Sequence, residues 1–106
     1  MPYSGGPMTE AMYYVLLALM NPSHGYQLMR DIEEVSHGRL KMGPGTLYGV
    51  LSRMEKDGLI KLDAAERRRK VYRITSDGKA ALRVEYKRLS AMVLDGAVIG
   101  GSEING

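Results

Sequence analysis

Four consecutive cations, Arg67-Arg68-Arg69-Lys70, are the strongest chemical signal in this chain of 106 residues. Adjacent like charges repel unless solvent or a polyanion screens them, and each cation seated on a phosphate adds close to one unit to the salt dependence of binding. Taken alone, such a run reads equally as a solvated turn. A second signal precedes it. After Gly43-Pro44-Gly45, the residues Leu47, Val50, Leu51 and Met54 recur at helical spacing, and the other face presents Thr46, Gly49, Arg53 and Lys56, with Tyr48 and Ser52 beside it. Small, hydroxyl and cationic side chains on one helix face can reach base edges and phosphates in a major groove. Gly49 costs the helix about 1 kcal/mol against alanine. Close approach of another backbone would justify it, as would plain packing against a neighbouring helix.

Other chemistries lack their residues. His24 and His37 are the only histidines and there is no cysteine, so thiolate zinc sites, disulfides and cysteine nucleophiles are excluded and no metal or cofactor is expected. Gly43-Pro44-Gly45-Thr46 lacks the Gly-Lys-Ser/Thr ending of a phosphate-binding loop, and the serines have no evident His/Asp partners. An enzyme is not expected. The longest apolar stretch, Ala11 to Met20, is about half of the roughly 20 residues that a membrane helix needs. The start of the chain lacks a basic leader, and a cytoplasmic protein is the simplest reading.

The net charge of +3 hides an uneven distribution. Residues 39–90 hold fourteen Lys and Arg against six Asp and Glu, whereas both flanks are acidic. That asymmetry suits a polyanion, nucleic acid first and an anionic membrane second.

These residues need elements to position them. Thr9 is placed to cap a helix from Glu10 to Met20 that is apolar nearly all round and stops at Asn21-Pro22. Ser23 is placed to cap a second helix with the stripe Leu28, Met29, Ile32 and Val35, closed by Ser36-His37-Gly38. The third helix runs from Pro44 to Asp57 and stops at Gly58. The period then changes: Leu59 to Leu62 and Val71 to Ile74 read as two strands joined by the charged turn Asp63 to Lys70. Thr75 caps a long helix, Ser76 to Asp95, striped by Leu82, Tyr86, Leu89 and Val93. Three helices followed by a cationic hairpin is the order of a winged helix-turn-helix. The expected fold is therefore mainly α with a small β-hairpin. Residues 1–8 form a flexible lead-in, 9–75 the DNA-binding domain, 76–95 a dimerisation helix and 96–106 a flexible tail. A second copy of the chain would cover the last stripe; alternatively, the helix folds back onto the first one.

Three blocks carry a resemblance. His24-Gly25-Tyr26-Gln27-Leu28, then Gly45-Thr46-Leu47-Tyr48 through Arg53 to Ile60, then Arg69-Lys70-Val71-Tyr72-Arg73-Ile74-Thr75 with Gly78, occur in the order found in the PadR family of bacterial transcriptional regulators. The chain resembles that family over about residues 9–90, and its single last helix looks like the short-tailed branch. The resemblance implies a homodimeric repressor with a C-terminal dimerisation helix, released in some members by small aromatic or hydrophobic molecules. It places Thr46 and Tyr48 on the recognition helix and Arg69 and Lys70 in the wing; Arg67 and Arg68 extend the wing by charge alone.

The sequence therefore predicts a sequence-specific regulator of double-stranded DNA, with a palindromic operator and a homodimer joined through Leu82, Tyr86, Leu89 and Val93. Lys41 and Arg53 are expected to help Thr46, Tyr48, Arg67, Arg68, Arg69 and Lys70 hold the duplex. The chain lacks tryptophan and phenylalanine, so any effector pocket would draw on tyrosine and the adaptable methionines. The competing reading is a winged-helix protein-interaction module that does not bind DNA.

Overall fold

The computed structural model describes residues 5–63 and 70–100. Its elements are α1 (Glu10–Ala18), α2 (Gly25–Val35), α3 (Pro44–Lys56), β1 (Ile60–Leu62), β2 (Tyr72–Ile74) and α4 (Ser76–Asp95), followed by a 3-10 turn at Gly96–Ile99. Met1 to Ser4, Ala64 to Arg69 and Gly101 to Gly106 lie outside the described residues, and with them much of the expected tail and most of the expected wing turn.

Local chemistry accounts for most of the element ends. Thr9 caps α1 by accepting the Met12 N–H at 3.1 Å, which satisfies one of the donors that a helix start leaves open. The helix stops at Ala18 rather than Met20, because Leu19 already departs from helical geometry ahead of Asn21-Pro22. Ser23 does not cap α2. Its main chain exchanges both hydrogen bonds with Tyr72 (3.0 and 2.8 Å), its hydroxyl donates to Asp31 at 3.2 Å, and His24 holds the cap position without a side-chain bond. The segment entering α2 is thus recruited to the free edge of β2. Pro44 opens α3, where its missing N–H costs nothing. Gly58, at φ 79°, turns the chain into β1.

β1 and β2 pair antiparallel, with Ile60 opposite Ile74, Lys61 opposite Arg73 and Leu62 opposite Tyr72. Thr75 joins the hairpin to α4 through two bonds of its hydroxyl. It donates to the Gly58 carbonyl at 2.7 Å and accepts the Gly78 N–H at 2.9 Å. Gly78 is buried there, and a Cβ in its place would lie 2.1 Å from the Leu59 carbonyl oxygen, so the close approach requires glycine.

One core joins these elements. Val15, Leu16 and Leu19 from the α1 region meet Leu28 and Ile32 of α2, and Leu47, Leu51 and Met54 of α3, all without exposed surface. Ile60, Tyr72, Ile74 and Leu82 close it from the hairpin and α4. Val35, at the end of the α2 stripe, is 38% exposed and stands outside this core. Arg39 ties the connector before α3 to α1 through an ion pair with Glu10, a hydrogen bond to Tyr14 Oη at 3.3 Å and its position over the Tyr14 ring.

Candidate nucleic-acid interface

The buried residues of α3 recur at one face, so the opposite face is free. Thr46, Tyr48, Gly49, Ser52, Arg53 and Lys56 are all exposed, and an open cleft of about 530 Å³ lies against Ser52, Arg53, Glu55 and Lys56. Among the described residues, no other element comes within 4 Å of where a Cβ on Gly49 would stand, which removes packing against a neighbouring described helix as its reason. Arg53 pairs with Asp57 one turn on at 3.5 Å, and Lys41 approaches Glu33 at 3.9 Å. Both cations are about three-quarters exposed. Solvated pairs of this kind contribute about 0–1 kcal/mol, so a phosphate can displace the carboxylate.

Tyr48 is set differently from its neighbours. Its hydroxyl oxygen lies 3.3 Å from the position of a Cβ on Gly25, so the ring leans over the first turn of α2. Tyr72 lies close by in β2. Burial pushes its phenol above the ordinary tyrosine value, with smaller contributions from Glu55 and Tyr48, so it remains a neutral hydroxyl. The start of α2, the outer face of α3 and β2 are therefore brought together around two tyrosines.

Of the expected wing cations, Lys70 is exposed in a left-handed conformation at φ 52°. Arg67, Arg68 and Arg69 lie outside the described residues. The sequence reading passed over Lys61 and Arg73, both exposed on the hairpin. The alternation of buried and exposed residues along β2 was the available signal.

The expected dimer stripe divides into two parts. Leu82 is 7% exposed and belongs to the chain's own core, so the first half of α4 does fold back on α1. Leu89 is half-buried, whereas Tyr86 is 61% and Val93 75% exposed. Met92, Leu94, Val98 and Ile99 extend the bare apolar surface. Grooves run between α1 and α4: one of about 250 Å³ includes Leu17, Met20 and Tyr86, and another of about 440 Å³ includes Leu89, Val93 and Leu94. Tyr13 lines both; burial, then Tyr86, Tyr14 and Glu85, push its phenol upward. Glu85 itself is buried, accepts Arg88 Nε at 2.9 Å and the Met8 N–H at 3.2 Å, and is held below the usual carboxylate range chiefly by the Arg88 hydrogen bonds, against the opposing effect of burial.

Among the described residues, no helix is long and apolar enough to cross a membrane. No group of three His, Cys, Asp or Glu among them could hold a metal ion.

Comparison with known proteins converges on one family. The sequence model of the transcriptional regulator PadR-like family matches residues 15–84. The chain is 37% identical over 84 residues to transcriptional regulator Rv3488 of Mycobacterium tuberculosis, covering 76% of this chain and 74% of that protein. It is 39% identical over 93 residues to an uncharacterized 37.1 kDa protein in transposon TN4556 of Streptomyces fradiae, covering 84% of this chain but only 26% of that much longer protein. A solved transcriptional regulator from Clostridium thermocellum, Cth-833, superposes with a TM-score of 0.60 at 28% identity, covering 80% of this chain and 85% of its own. The hairpin, the three helices before it and the long last helix follow the same plan, and the chain belongs to the PadR-like family of transcriptional regulators, which are not enzymes.

Proposed function

We propose that the chain acts as a homodimeric, sequence-specific repressor in the cytoplasm, binding a two-fold symmetric operator. The observation that carries this reading is the outer face of α3, where Thr46, Tyr48, Arg53 and Lys56 stand exposed and no other element among the described residues lies over Gly49. A helix of about 10–12 Å diameter enters the major groove, and this face supplies both hydroxyl groups for base edges and cations for phosphates. Lys41 and Lys70 flank it, with Arg67, Arg68 and Arg69 extending the wing. The exposed Tyr86 and Val93, with Leu89 between them, support pairing of two chains through α4. Such pairing sets two recognition helices about one helical turn apart on the duplex. The α1–α4 grooves support an effector site for a small hydrophobic or aromatic molecule.

Selection of bound fragments from a random duplex pool tests the reading. A palindromic motif bound with strong salt dependence is expected, and V93D should yield monomers in sedimentation with much weaker operator binding. A parent protein without salt-dependent duplex affinity refutes it and favours a protein-interaction module.

A further inference from the structure

Lys61 and Arg73 are direct register partners at the centre of the hairpin. Bonds from the Thr75 N–H to the Leu59 carbonyl (3.0 Å) and from the Asp63 N–H to the Val71 carbonyl (2.7 Å) bracket them in the ladder. Their side chains therefore leave the same face of the sheet from positions about 5.5 Å apart. Ile60, Tyr72 and Ile74 are buried on the opposite face, while Lys61 and Arg73 are both exposed. The ion pairs between described residues join Arg39 to Glu10, Lys41 to Glu33, Arg53 to Asp57 and Arg88 to Glu85, so among the described residues this pair of cations has no carboxylate partner.

Like charges directly opposite one another weaken a strand pair, and an acid at either position would serve folding better. An anion held between the two side chains reverses the sign of that interaction. A phosphate oxygen accepts from an ammonium, and a guanidinium can engage the same group with two parallel N–H donors. A single cation could reach a phosphate alone; a facing pair fixes its position. Location favours the DNA backbone as the source. β1 packs against α3 and follows it directly after the Gly58 turn, so Lys61, with Arg73 opposite it, follows closely on the exposed Arg53 and Lys56 of the recognition helix.

We propose that Lys61 and Arg73 form a phosphate clamp on the outer face of the hairpin, gripping the duplex backbone beside the groove entered by α3. This rests on the DNA-binding reading above and adds a site to it. The test uses the full chain, its selected duplex, a salt titration and a thermal melt. K61Q/R73Q should lower the salt slope of binding by about two units, one for each phosphate-bound cation, without lowering the melting temperature. K61E should raise the melting temperature by forming a cross-strand ion pair with Arg73, while weakening the duplex complex. An unchanged salt slope in K61Q/R73Q overturns the clamp, and a double variant that melts below the parent overturns the repulsion on which it depends. Loss of salt-dependent binding in the parent itself would instead remove the DNA-binding reading, which keeps the two failures apart.

Discussion

Replacing Gly49 with alanine separates the stability of α3 from its use as a reading surface. Gly49 lies inside the helix and is exposed, and no other element among the described residues comes within 4 Å of the added methyl group. The substitution therefore brings the full helical preference of alanine, about 1 kcal/mol, with no steric offset. For a domain of about 100 residues, that raises the melting temperature by roughly 4–8 °C. DNA binding should move the other way. If the backbone of α3 approaches the groove at Gly49, the methyl group overpacks that contact at a cost of about 1–3 kcal/mol, or roughly five- to 150-fold in affinity. Thermal melts of the free protein and duplex titrations at fixed salt measure the two effects separately. A melting temperature equal to or below the parent's refutes the open space over Gly49. A more stable variant with parental affinity refutes the close approach.

Gly78 should behave in the opposite sense, because its Cβ would meet the Leu59 carbonyl oxygen at 2.1 Å and Ile74 Cγ1 at 2.7 Å. G78A is expected to lose about 1–3 kcal/mol, a fall of roughly 5–20 °C in melting temperature; a parental melt would contradict the packing of α4 on the hairpin. E85Q removes a buried carboxylate bonded to Arg88 and the Met8 N–H, and should cost about 1–3 kcal/mol at neutral pH. The folded Glu85 titrates below its unfolded counterpart. Its stabilisation is therefore full above about pH 4.3 and is lost as the pH falls through the folded value. Urea unfolding at pH 7 and pH 3 should show the gap between parent and E85Q closing in acid; a constant gap would refute the assignment.

Local rules carried the helices, their caps at Thr9 and Thr75, the stop at Gly58 and the hairpin, because each depends on neighbours a few residues apart. The same rules misplaced Ser23. Serine before a helix is a sound cap by type, but here the free edge of β2, some fifty residues away in sequence, took its main chain instead. The exposed side of α3 could be read from its apolar spacing. The lean of Tyr48 over Gly25 could not, since it depends on how α2 and α3 cross. Lys61 and Arg73 were individually visible as strand cations, but only the register set them face to face.

Sequence alone determined that α4 is a helix with an apolar stripe, since the 3.6-residue period is a property of the chain. It could not divide that stripe. Leu82 and Tyr86 are one turn apart on the same face, yet one is buried and the other bare. The cause is direction: the covered side of α4 runs through Leu82, Glu85 and the half-buried Leu89, and Tyr86 stands beside it, at a groove that it shares with Tyr13 of α1. Which side of a helix the chain covers depends on where the other elements lie in space, and only the tertiary structure decides that.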